Sequence, residues 1–134
     1  EHGDADRDCT AGAADETGLG PGLGATLNLP LPAGCGDAEY LDAFDTQVLP
    51  ALHAFHPDFV LVSAGFDAHF RDPLGGMRVT AEGYADMTRR LRAAADGECG
   101  GRLALVLEGG YHLDALRESV DAVLDVLAAP EVPG

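Results

Sequence analysis

Residues 59–76 read FVLVSAGFDAHFRDPLGG, an apolar run that passes through Gly65 and Phe66 and then delivers an aspartate, Asp67. The run lacks the polar–apolar alternation of a strand with one wet face. It has the pattern of a parallel strand covered on both faces by helices. RLALVLE at 102–108 repeats the pattern and closes on Gly109, Gly110 and Tyr111. In open α/β sheets, ligands bind beyond the carboxyl ends of the strands. Asp67 stands just past one such end and Tyr111 just past the next, so the two are expected to share one rim of a sheet.

The surrounding pattern supplies the helices. Tyr40, Leu41, Phe44, Val48, Leu52 and Phe55 recur at helical spacing after Asp37, a residue suited to capping, and Pro50 should kink or shorten that helix. A second helix is expected from a Thr80 cap, burying Tyr84, Met87 and Leu91 and ending at DGECGG (96–101). A third carries Leu113, Leu116, Val120, Val123, Leu124 and Leu127 on one side. Ahead of all this, AGAADETGLGPGLG leads into a short expected strand around ATLNLPL (25–31). This glycine-rich stretch is no phosphate loop, because it precedes a strand rather than a helix and lacks the GK[ST] ending. Its glycines are read as allowing tight backbone passage.

Strand, helix, strand, helix, strand, helix is the α/β signature of a mainly parallel sheet. About three strands and three helices can be drawn, while ordinary sheets hold about 4–6 strands. Three parallel strands alone would leave apolar edges unpaired. The chain is therefore expected to be part of a larger sheet, with self-association through exposed edges as one consequence.

Composition narrows the function classes. The chain has 134 residues, 46% hydrophobic, which fits one globular domain. Its net charge of −15 repels nucleic-acid phosphates and anionic membranes, and its longest apolar run is far too short to span a bilayer. The acidic opening EHGDADRDCT lacks the character of a secretory signal. Cys9, Cys35 and Cys99 are scattered without CxxC spacing, which suits reduced thiols, so a cytoplasmic location is expected.

Taken singly, Asp67 reads as a loop aspartate capping backbone amides, and Tyr111 as an aromatic at the edge of the core. Their matching positions favour a shared site. A carboxylate there could ligate zinc, act as a base or hold a ribose. His69 is two residues from Asp67, but a zinc site needs three protein ligands plus an open position for catalysis, and spacing alone gives no complete set. His53, His56 and His112 are read as surface or helix-end residues, and His69 as a loop histidine. No serine lies in a GxSxG elbow, and no phosphate loop supports nucleotide binding.

TLNLPLPAG (26–34), VSAGFDAH (62–69) with DPLGG (72–76), and LEGGY (107–111) together resemble, in order and spacing, the C-terminal half of the histone deacetylase superfamily. The nearest flavour is the bacterial branch with acetoin-utilisation proteins and acetylpolyamine amidohydrolases. The resemblance runs from about Gly12 to 129, leaving an unmatched acidic segment, 1–11, and a tail, 130–134. It implies part of an arginase-like α/β/α sandwich and zinc-dependent hydrolysis of N-acetylated lysine or a small acetylated amine. It implies that Asp67 is one of three zinc ligands and that Tyr111 polarises the scissile carbonyl. Leu74 would line the acyl channel, with Gly110 in the turn beside it. Zinc would supply a bound water of pKa about 7.

The family's Asp-x-His ligand pair and general-base histidine pair belong to its N-terminal half, and no adjacent histidines occur here. The segment RDCTA (7–11) also departs from the family's aromatic-containing pattern at Asp8. This chain alone is therefore expected to be inactive. The alternative is a noncatalytic α/β binding or assembly module that kept the scaffold.

Overall fold

A computed structural model describes residues 12–130. The expected unmatched segment and tail fall almost wholly outside them. Two compact units divide the chain between Pro32 and Ala33.

In the first unit, the expected strand at ATLNLPL does not form. Pro30 and Pro32 bring no N–H to a ladder. The Asn28 side-chain amide instead donates to the carbonyls of Ala13 and Glu16, both at 3.1 Å. The glycine-rich stretch is a set of turns around a short 3₁₀ helix, Gly20–Gly22. Gly18, at φ +109°, passes so closely that a Cβ would lie 3.0 Å from the Gly22 carbonyl carbon, which bears out the tight-passage reading.

The second unit holds a two-stranded parallel sheet, β1 (Val60–Ala64) and β2 (Leu103–Leu107), with Val60 opposite Leu103 and Ala64 opposite Leu107. Two strands rather than three is the first correction to the sequence reading. The second concerns the faces. Ala64 and Leu105 turn toward a core formed by Phe66, Val79, Tyr84, Met87 and Val123. On the other face, Leu61 is 67% exposed and Val106 52%. Among the described residues, helices cover only one side of these apolar strands.

The first helix comes in two pieces, α1 (Asp37–Ala43) and α2 (Leu49–Phe55), joined by a π-helical turn at Phe44–Val48. Pro50 accounts for the turn. It has no N–H to donate and its ring crowds the carbonyl four residues back, so the backbone widens and the Leu49 N–H bonds Phe44, five residues back. Asp37 does not cap α1. Gly36 does, its N–H donating to the Glu39 carboxylate at 2.8 Å. Asp37 instead accepts from the Thr80 N–H (2.8 Å) and hydroxyl (2.6 Å), pinning the start of α1 to the start of the next helix.

That helix, α3 (Ala81–Cys99), is capped by Thr80, whose hydroxyl accepts from the Gly83 N–H at 3.1 Å. It buries Tyr84, Met87 and Leu91 as their spacing requires and ends on Gly100 at φ +61°. The last helix, α4 (Leu113–Ala128), packs against α3. Its buried stripe is rotated from the expected one. Leu116, Val120, Val123 and Leu127 face the core, while Leu113 and Leu124 stay exposed. At about 100° per residue those two lie on one flank of the stripe, and the buried Ala115, Ser119 and Val126 lie on the other.

Candidate functional site

Backbone pairing continues past the strand ends and sets the site. The Glu108 N–H donates to the Ala64 carbonyl (3.0 Å), and the Phe66 N–H to the Gly109 carbonyl (2.9 Å). Gly65–Phe66–Asp67 and Glu108–Gly109 therefore run side by side. Phe66 drops into the core, its ring centroid 4.8 Å from that of Tyr84. Asp67, the next residue, stays partly exposed at the rim. Phe66 thus anchors the turn that presents the carboxylate, which explains why so apolar a strand leads directly to a charge.

Three glycines make room for Asp67. A Cβ on Gly65 would lie 3.1 Å from Asp67 Oδ1, and one on Gly109 would lie 2.9 Å from Oδ2. A Cβ on Gly75 would overlap the Asp67 main chain, 2.7 Å from its carbonyl carbon. The carboxylate is thus lodged between the two strand-end loops, while a third loop lies on its backbone. Burial, Tyr40 and the Asp67 charge together push the Tyr84 hydroxyl well above the ordinary tyrosine range. That phenol therefore stays protonated at neutral pH.

The loop from Ala68 to Val79 is closed at its base. Val79 donates to the Ala68 carbonyl (3.0 Å) and Phe70 to the Val79 carbonyl (2.9 Å). At its far end Leu74 is 71% exposed. Tyr111 is 58% exposed and begins the approach to α4, whose first turn is capped by His112 Nδ1 accepting from Ala115 at 3.3 Å. Gly110, in the loop after β2, has φ +133°, and a Cβ there would meet Leu116 at 2.9 Å and Phe66 at 3.1 Å. Its lack of a side chain lets the chain turn tightly over the core.

Asp67, Gly110 and Tyr111 therefore gather at one rim, with Leu74 on the adjoining loop. Sequence reasoning overlooked Asp72. One of its oxygens accepts from the Leu74 (2.9 Å) and Gly75 (3.2 Å) amides, and the other from the Tyr111 amide at 2.7 Å. An aspartate before proline signals a turn, but nothing in the sequence reveals a bond to a residue so distant along the chain.

The histidines are accounted for by structure. His69 is the loop residue it reads as, but a buried one. It is 2% exposed, its Nδ1 accepts from the Arg71 N–H at 3.1 Å, and burial with Arg71 nearby holds the imidazole below its ordinary pKa. His53 and His56 both engage Glu98, at 2.8 and 2.9 Å, on segments that lead into the amino ends of the strands, away from Asp67. Among the described residues no group of three or more His, Cys, Asp or Glu side chains could hold a metal ion. Zinc requires at least three protein ligands, so these residues do not form a complete zinc site; Asp67 could contribute one oxygen to it. No helix among the described residues is long and apolar enough to cross a membrane.

An α/β scaffold with a carboxylate and a tyrosine past adjacent strand ends has the placement at which open α/β sheets bind their ligands. The chain belongs to the histone deacetylase family, whose Histone deacetylase domain matches residues 10–127. It is 47% identical over 103 residues to a probable deacetylase of Archaeoglobus fulgidus, covering 77% of this chain and 29% of that protein. It is 46% identical over 121 residues to the human polyamine deacetylase HDAC10, covering 90% of this chain and 18% of that protein. The crystal structure of the HDA15 HD domain superposes with a TM-score of 0.81 at 47% identity, covering 87% of this chain and 32% of that one. The fold is thus the α/β deacetylase fold, and the chain spans less than a third of each of these relatives.

Proposed function

We propose that this chain supplies the Asp67–Tyr111 rim of a zinc-dependent deacetylase that hydrolyses N-acetylated lysine or a small acetylated amine, and that the chain alone is inactive. The observation that carries the reading is the Asp67 carboxylate lodged between Gly65 and Gly109 at the carboxyl ends of two parallel strands, with Tyr111 two residues past Gly109. In this reading Asp67 is one of three zinc ligands, and the others come from outside the described residues. The Tyr111 hydroxyl donates to the oxygen of the scissile amide as negative charge develops on it. One such donor contributes about 3–4 kcal/mol to the transition state. Leu74 and Gly110 border the acyl channel. The small-amine option draws support from the similarity to a polyamine deacetylase. The unpaired edges and exposed apolar face of the sheet support self-association. The scattered cysteines, with Cys35 and Cys99 both free, support a reducing cytoplasm.

The test measures bound zinc and deacetylation for the purified chain, alone and mixed with the part of the Archaeoglobus fulgidus protein lying outside the matched region. Acetyl-lysine peptide and an acetylated polyamine serve as substrates. The chain alone should hold no tight zinc and show no turnover. The mixture should gain both, Asp67→Ala should abolish both, and Tyr111→Phe should keep zinc while lowering kcat about 10²–10³-fold. Turnover by the unmixed chain that disappears in Asp67→Ala would overturn the claim of inactivity. A folded mixture without zinc or turnover would overturn the enzymatic reading in favour of an assembly module.

A further inference from the structure

We infer that Asp72 is a positioning residue that locks the channel-bordering loop and the Tyr111 loop into one unit. The functional meaning of this lock rests on the deacetylase reading, but its geometry does not. Oδ1 of Asp72 accepts from the Leu74 and Gly75 amides, and Oδ2 accepts from the Tyr111 amide. A single planar carboxylate therefore fixes two segments that are 39 residues apart in sequence. Gly75 in turn lies against the Asp67 main chain. Asp72 thus connects the backbone of the proposed ligand, the exposed Leu74 and the proposed oxyanion donor, and touches no reacting atom itself.

No neutral side chain of this size reproduces the lock. It requires two acceptor oxygens, one toward the Leu74 and Gly75 amides and the other toward the Tyr111 amide. Asparagine keeps one acceptor and places an NH₂ donor against the opposing amide. Partial burial favours the protonated acid. The Tyr111, Leu74 and Gly75 amides, with His112 nearby, outweigh it and hold the Asp72 carboxyl below the usual carboxylate range. The side chain is therefore ionised, and both oxygens accept, throughout the neutral range. An oxyanion donor works only when held in place before the reaction. Loosening the Tyr111 backbone would act on kcat more than on substrate binding.

The experiment is residue-resolved amide hydrogen exchange on the 134-residue chain, wild type against Asp72→Asn. The variant should speed exchange about tenfold or more at Tyr111, or at Leu74 and Gly75, depending on which side the remaining oxygen serves. Val62, in the middle of β1, should be unchanged. Unchanged protection at all three loop amides, or equal acceleration at Val62, overturns the lock. Should Asp72→Asn fail to fold, an acid titration of wild-type amide shifts decides instead. Leu74, Gly75 and Tyr111 should move together with one midpoint below the ordinary aspartate value of about 3.9; separate midpoints overturn the lock. In the complemented mixture, Asp72→Asn should lower kcat with little change in KM, and a change confined to KM overturns the positioning role. If the mixture never turns over, the deacetylase reading fails, while the exchange result still decides the lock.

Discussion

Replacing two glycines by alanine separates the loop that lies on the Asp67 main chain from the loop that lies on its carboxylate. At Gly75 the added methyl would lie 2.7 Å from the Asp67 carbonyl carbon, with the oxygen closer still. Neither atom can yield, because pairing at the next residue, Val79 N–H to the Ala68 carbonyl at 3.0 Å, holds that backbone in place. At Gly109 the methyl would meet Asp67 Oδ2 at 2.9 Å and Cγ at 3.1 Å, the free end of a side chain that can rotate away. Overpacking against fixed atoms costs about 1–3 kcal/mol, and Gly75→Ala should fall at the upper end, about 3 kcal/mol. Gly109→Ala should cost only a rotamer adjustment, about 1 kcal/mol. For a chain of this length each kcal/mol moves Tm by about 4 °C, so the losses should be about 12 °C and about 4 °C. Thermal and urea unfolding followed by circular dichroism measure both. The order should reverse for function: in the complemented mixture Gly109→Ala, although stable, should lose zinc because its methyl displaces the oxygen proposed as a ligand. A Gly75→Ala chain as stable as wild type would refute the reasoning, since the 72–76 loop would then not lie on Asp67, and equal large losses would refute it because the Asp67 side chain would then be as fixed as its backbone.

The bond between the two helix starts is testable by a double-mutant cycle. Asp37→Ala and Thr80→Ala should each cost about 2 kcal/mol in urea unfolding, because each removes charge-assisted bonds or a helix cap. The double variant should fall short of their sum by about 1 kcal/mol, whereas additive losses would show that the two residues act independently. Sedimentation velocity should reveal concentration-dependent association of the chain through its open sheet. Leu61→Lys with Val106→Lys should suppress that association without lowering Tm, because both positions lie on the exposed face; an unchanged sedimentation profile would exclude this surface.

What the sequence made legible follows from what a local pattern can encode. The runs at 60–64 and 103–107, the Thr80 cap and the spacing of Tyr84, Met87 and Leu91 are written in consecutive residues, and the structure keeps each of them. The kink at Pro50 was legible for the same reason: proline acts on its own helical turn. The failures occur where distant residues decide. ATLNLPL has a strand's composition, but Asn28 spends its amide on two carbonyls behind it, and the prolines withhold donors. Asp37 occupies a capping position in sequence, yet Thr80 supplies better-placed donors. His69 is the loop residue it reads as, and what the sequence does not show is its burial there.

The site divides along the same line. Asp67 and Tyr111 could be found because each follows the end of an apolar run, and the sheet brings such ends together without further instruction. Asp72 could not be found that way. Its partners are three backbone N–H groups, two in its own turn and one contributed by Tyr111 from the other strand-end loop. Any residue type could supply those amides, so the sequence carries no mark of the pairing. The residues that would perform the chemistry are thus exposed by the topology of the sheet. The residue that holds them in register emerges only from the closed loop, where one carboxylate satisfies donors on both sides of the rim.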